Sequence, residues 1–165
     1  MCRIVAFGRS LFVIIAMFAA AAEGATIVTQ EGNQAFYAKA FATANKIAPD
    51  QLAKTGAKPK FQAVKEKAVI TDGSRTIELH RIKGSAHNDT FLMAYLPAEK
   101  LLIEADAYTP LAPNAAPPSP PNPNHLNLIE NIERLKLPVE RILPLHGRVV
   151  PVADLYAAAG KTAPK

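Results

Sequence analysis

Seven prolines fall between Pro110 and Pro123, a density that leaves no room for helix or strand. Proline fixes φ and lacks the backbone N–H, so it ends helices and breaks sheet ladders. Residues 107–124 are therefore expected to be a long loop, with regular structure on either side. Upstream, Thr26-Ile27-Val28-Thr29 is short and β-branched, which predicts a strand. Gln30 to Ile47 is alanine-rich, with Phe36, Ala40 and Phe41 placed on one helical face, and predicts a helix. Pro49 and Asp50 open a short second helix through Lys54, followed by a polar loop over 55–59. Asp72-Gly73-Ser74 is a turn between strands at Lys67–Thr71 and Thr76–Ile82. Pro97-Ala98-Glu99 turns in the same way between Phe91–Leu96 and Lys100–Glu104. Beyond the prolines, Leu128, Ile129, Ile132 and Leu135 predict a helix over His125–Leu135. Arg141–Leu145 reads as a strand and Val152–Ala159 as a last helix. There is no internal repeat, and the fold class is α/β.

The chain has 165 residues, 49% of them apolar, which suits one domain with a real core. Its single cysteine, Cys2, excludes an intramolecular disulfide framework and a cysteine-rich zinc module. Net charge is +5, and seven lysines between Lys39 and Lys67 hold most of the excess. That stretch carries no arginine cluster and no interleaved aromatic run, and the chain has no tryptophan. It reads as a solvated helix and loop, not as a surface for nucleic acid.

Residues 1–22 have the parts of a secretory signal. Arg3 and Arg9 precede twelve apolar residues, Leu11 to Ala22, ending in small residues suited to cleavage. Twelve helical residues rise only about 18 Å, too little to span a bilayer core of roughly 30 Å. A true signal predicts a periplasmic or secreted protein; otherwise the chain is cytoplasmic. An apolar helix packed in the domain and a spurious leader are the other readings of the same run.

Three polar residues stand where strands end beside turn chemistry. His87 lies in Gly84-Ser85-Ala86-His87-Asn88-Asp89, Asp106 follows Leu101-Leu102-Ile103-Glu104-Ala105, and His146 follows Ile142-Leu143-Pro144-Leu145. Imidazole and carboxylate are ligands zinc accepts, and strand ends are places where a scaffold can converge them. Spacing leaves a metal site and a set of ordinary turn residues equally open. Asp89 reads as a turn cap for the loop carrying His87, His80 as structural, and His125 as an exposed helix start. Tyr108 and Arg148 border the same edge, within reach of a substrate.

These residues carry a resemblance. Gly84 to Asp89, Tyr95-Leu96-Pro97, Glu99-Lys100-Leu101-Leu102-Ile103 with Asp106, and Leu143-Pro144-Leu145-His146-Gly147 resemble, in order, blocks of the metallo-β-lactamase superfamily. The resemblance covers roughly residues 25–156 and leaves 157–165 as a polar tail. It implies the C-terminal half of a four-layer αββα sandwich, with metals at one edge of its two sheets. It implies that His87 is a ligand of a first metal, Asp106 the carboxylate bridging two, and His146 a ligand of the second. The cofactor would be zinc, two ions in the family, and the reaction hydrolysis of a small-molecule substrate by metal-bound hydroxide.

One departure bears on all of this. The family's His-x-His-x-Asp-His cluster has no counterpart, since no histidine precedes His80. Each metal would keep two protein ligands, where a catalytic zinc uses about three. The expectation is an incomplete site, inactive as an isolated chain, with no catalytic residue assigned and the substrate-binding residues unknown. Ala22 to Thr29 also resembles the middle of the family domain, so a truncated or frameshifted domain competes with the signal reading. An exported, non-enzymatic binding or assembly module on the half-fold is the alternative function. Such a half-fold would form a homodimer to cover its exposed sheet.

Overall fold

The computed structural model describes residues 3–6, 17, 19–43, 49–113 and 115–164. The chain divides into two units, Met1–Glu66 and Lys67–Lys165, each with its own sheet.

In the first unit three parallel strands, β1 (Arg3–Ala6), β2 (Thr26–Gln30) and β3 (Lys60–Val64), lie in the order β1-β2-β3. All five residues of β2 are buried, as expected of a central parallel strand covered on both faces. A 3₁₀ turn at Glu31–Asn33 leads into α1 (Gln34–Ala42). The buried face of α1 carries Tyr37 and Phe41, four residues apart, and the Phe41 ring stacks on Phe61 at 5.9 Å. Of the expected apolar face Phe41 is buried, whereas Phe36 is 38% exposed and Tyr37 is buried in its stead. The helix is also shorter than Gln30–Ile47, ending at Ala42; positions 44–48 lie outside the described residues. The next helix, α2 (Gln51–Thr55), is opened by Asp50, whose side chain accepts from the Ala53 N–H at 2.8 Å.

Met17 and Ala21 enter this unit's core with Ala6, Ile27, Tyr37, Phe41 and Leu52. The segment expected as a secretory signal thus contributes strand β1, in parallel register with β2, and two core side chains. Of its apolar run, 11–16 and 18 lie outside the described residues, as do 7–10 before it. Among the described residues no helix is long and apolar enough to cross a membrane.

The second unit holds a six-stranded sheet in sequence order. β4 (Lys67–Thr71), β5 (Thr76–Arg81), β6 (Leu92–Leu96) and β7 (Leu101–Glu104) form an antiparallel meander. The turn after β4 is built by Asp72, whose Oδ1 accepts from the N–H groups of Ser74 and Arg75. The chain then leaves the sheet through the proline loop and α3 (Pro123–Leu135). It returns as β8 (Arg141–Pro144), parallel to β7. A parallel return needs such a crossover, because a tight turn can join only antiparallel neighbours. Short β9 (Val150–Pro151) pairs antiparallel with β8 and runs into α4 (Val152–Ala158).

The α3 crossover buries Leu128, Ile129 and Ile132, at helical spacing. Val69, by contrast, stands 51% exposed on β4. Leu128→Ala is expected to destabilise the protein by about 2–5 kcal/mol through the cavity it leaves. Val69→Ala should stay within about 0.5 kcal/mol. Urea unfolding followed by far-UV circular dichroism measures both.

Candidate metal-edge site

The parallel register of β7 and β8 pairs Glu104 with Pro144, so both strands finish at one level. The Leu145 N–H extends the ladder by donating to the Glu104 carbonyl at 2.9 Å. Asp106 and His146 each stand two residues beyond that last pair and come out side by side. His146 Nε2 lies 3.0 Å from Asp106 Oδ1. β5 ends, and β6 begins, at the same edge, so their connecting loop delivers His87 there. His87 Nε2 lies 3.7 Å from Asp106 Oδ2. The structure thus brings His87, Asp106 and His146 together, with one carboxylate facing an imidazole through each oxygen. All three remain open to water, Asp106 the least, with 31% of its side chain exposed.

The His87 loop is held from both ends. Asn131 of α3 accepts from the Lys83 N–H at 2.9 Å and donates to the Lys83 carbonyl at 3.0 Å, pinning the chain just before Gly84. Ser85 Oγ accepts from the His87 and Asn88 N–H groups, and Asn88 Oδ1 accepts from the Thr90 N–H. The expected cap, Asp89, takes part through its backbone carbonyl, which accepts from Arg81. Ser85 and Asn88 fill that role because their short side chains reach amides two or three residues on. The His87 ring rests against Phe91, with centroids 5.6 Å apart.

Beyond His146 the chain turns at Gly147, φ +113°, a conformation that a β-carbon makes costly. A Cβ there would also meet Pro110 Cδ at 3.1 Å. Arg148 donates to the Leu111 carbonyl at 3.0 Å, tying this turn to the proline loop. That bond is a structural role for Arg148. Tyr108 is buried to 1% exposure and forms a wall of this edge instead of bordering it openly.

His125 is buried, contrary to the expected exposed helix start. Asn122 caps α3 and Pro123 opens it, so His125 lies inside the first turn. It shares the face of Leu128, Ile129 and Ile132, three, four and seven residues on. The ring meets Tyr108 edge-on at 5.0 Å. His80 is likewise buried, with Nε2 2.9 Å from Glu78, as a structural histidine.

Sequence reasoning passed over Glu104, which is 1% exposed. Its Oε2 accepts from the Ala107 N–H at 2.8 Å and the Tyr108 N–H at 3.1 Å, closing the turn that presents Asp106. Burial drives its pKa up to about 8, against the two amide bonds and helped by the Asp106 charge. Oε1 is buried and has no hydrogen-bond partner. Two-residue alternation was the available signal, since it places Glu104 on the inward face with Leu102.

With these positions in view, likeness to known proteins can be stated. No family profile matches the sequence, and no curated protein matches it either. Solved structures do match. Rubredoxin oxygen:oxidoreductase from Desulfovibrio gigas has a TM-score of 0.66 at 17% identity, over 97% of this chain and 43% of that one. A metallo-β-lactamase from Pontibacter korlensis has 0.64 at 16%, over 97% and 68%. An archaeal metallo-β-lactamase superfamily protein from Sulfolobus tokodaii has 0.62 at 15%, over 97% and 67%. The chain has a metallo-β-lactamase fold. It spans only part of these chains, less than half of the D. gigas protein, and so holds a partial version of the fold.

Among the described residues, the donors around Asp106 number two to a side. An ion on one side of Asp106 would find His87 and one oxygen, and on the other side His146 and one oxygen. A catalytic zinc uses about three protein ligands. Among the described residues no group of three or more His, Cys, Asp or Glu is placed to hold a metal ion. Positions 7–16, from Phe7 to Ala16, include none of these residue types.

Glu104 predicts a specific pH dependence. The unfolded chain releases this proton near the ordinary 4.5, the folded chain only at about 8. Between those values the folded state binds more protons, so stability falls as pH rises through the window. The loss from pH 5 to 8 should be on the order of 3 kcal/mol. Glu104→Gln keeps an oxygen for both amides and should flatten that slope; urea unfolding at pH 5 and pH 8 reads the difference.

Proposed function

We propose that the chain is a partial metallo-hydrolase domain in which His87, Asp106 and His146 are its contribution to a zinc site. One observation carries this reading: the two oxygens of Asp106 face two different imidazoles at the shared end of β7 and β8. A carboxylate needed only as a turn cap would direct its oxygens at backbone amides, as Asp72 does. Asp106 instead stands between two nitrogen donors, the disposition of a ligand shared by two cations. Zinc, when bound, would supply a nucleophilic hydroxide near neutral pH and polarise a carbonyl or phosphoryl oxygen. The chain's own residues supply orientation. Glu104 fixes the Asp106 turn, Asn131 and Ser85 fix the His87 loop, and Gly147 sets the direction in which the chain leaves His146.

With two ligands on each side, affinity is expected to fall short of stoichiometric loading, and the isolated chain is expected not to hydrolyse substrate. The fold does not choose a substrate, because one architecture serves many chemistries. The names of the similar structures already include a lactamase and an oxygen:oxidoreductase.

Zinc titration of the purified chain, with metal content read by mass spectrometry after desalting, tests this. The expected result is well under one zinc per chain after desalting, and weak saturable binding in titration that weakens at least tenfold in Asp106→Ala and His146→Ala. Retention of two zinc ions with turnover of lactam or ester substrates would show a complete site. Binding unchanged in Asp106→Ala would remove the carboxylate from it.

A further inference from the structure

His146 and Asp106 form a pair of donors that can be reached from outside the molecule. His146 Nε2 and Asp106 Oδ1 are 3.0 Å apart, with 61% and 31% of their side chains exposed. Two ligands of one tetrahedral zinc, each about 2.0–2.1 Å from the ion, stand roughly 3.3 Å from each other. The pair is therefore already spaced as two ligands of a single ion. A closed zinc site takes about four donors. Among the described residues no group of three or more is placed to supply them. A two-fold axis beside the pair would supply the other two by repeating it, since a symmetric dimer presents the same surface from both subunits.

The surroundings of the pair suit a second copy. Ile142 and Val150 are paired and buried, while Leu143, Leu145 and Val149 beside them are 37%, 55% and 47% exposed. These are three of the five large apolar side chains left exposed among the described residues, and they flank His146 in the chain. Apolar side chains gathered in one exposed place mark a contact surface. His87 is the less available partner of Asp106, at 3.7 Å and with its ring against Phe91.

Charge makes the contact conditional. Two copies meeting here set Asp106 against Asp106, and like charges across an interface oppose association. A divalent cation between them reverses that repulsion, and two imidazoles with two carboxylates are donors that zinc accepts. The apolar rim favours the dimer, the carboxylates oppose it, and the ion decides between them.

We propose that zinc joins two copies of this chain through His146 and Asp106 of each, one ion per dimer, with Leu143, Leu145 and Val149 packed around it. The inference rests on the reading of Asp106 as a metal ligand and names the partner that completes its site. A single chain binds the ion weakly and a pair binds it tightly, so apparent zinc affinity rises with protein concentration.

Sedimentation velocity of the full chain at low and high micromolar protein, in EDTA and with zinc chloride, tests this, and native mass spectrometry counts the ions. The chain should be monomeric in EDTA and dimeric with zinc, holding one ion per two chains. Apparent zinc affinity should rise at least tenfold between the two protein concentrations. His146→Ala should abolish the dimer, and Leu145→Ser, which alters the rim without touching a donor, should weaken it about fivefold or more. Both side chains are exposed, and an amide-proton spectrum of each variant verifies the fold. A dimer that persists in EDTA, or is indifferent to either substitution, would overturn the bridge, as would larger aggregates in place of a dimer. Zinc held by the monomer with an affinity independent of protein concentration would sink the bridge and leave the metal-ligand reading standing. No zinc binding at either concentration would sink both.

Discussion

The parallel pairing of β7 with β8 is the constraint on which the rest of the site depends. Two antiparallel neighbours end at opposite edges of a sheet, and residues following them diverge. Parallel neighbours in the Glu104–Pro144 register end together, so two short extensions put a carboxylate and an imidazole within 3.0 Å. The same pairing demands a long crossover, and the proline loop with α3 is that crossover. The convergence of Asp106 and His146 and the long loop beside them are therefore consequences of one topological choice. The antiparallel meander adds the third residue, because the β5–β6 connection necessarily lies at the edge where β7 ends.

Holding this edge in place falls to polar groups the fold buries. One oxygen of Glu104 accepts two hydrogen bonds from the turn that bears Asp106, while burial raises its pKa against them. Asn131 reaches from α3 to both backbone groups of Lys83 and fixes where the His87 loop begins. A buried polar group with specific partners tolerates few alternative packings, so these residues favour precision of placement over stability. His125 differs from them. It is buried, its ring edge-on to Tyr108, with Nδ1 making no hydrogen bond.

The second unit is largely legible in the sequence; in the first, β2 and both helices are legible but β1 and β3 are not, for reasons that lie in the sheets. Antiparallel strands announce themselves through local turns, and Asp72-Gly73-Ser74 and Pro97-Ala98-Glu99 mark both hairpins correctly. Parallel strands carry no such punctuation. Arg3–Ala6 was absorbed into an apolar leader, and Lys60–Val64 was passed over as a sequel to a polar loop. At the site, strand-end positions could be read for His87, Asp106 and His146, but not which strands are neighbours. Their convergence was implied by family resemblance and by nothing in the spacing. His125 was misjudged because the helix begins two residues earlier, at Pro123, which moves the residue from the exposed start to the buried face.

The site's geometry and its ligand count point in different directions, and the difference is informative. Positioning groups around Asp106 are intact: a buried carboxyl under its turn, a pinned loop for His87 and a glycine turn after His146. Among the described residues the donors number two to a side. Scaffold and donors alike belong to the second unit. A shortage of donors can arise with no change in the fold that positions those already present, which is why a metallo-β-lactamase fold can be clear here while a complete metal site is not.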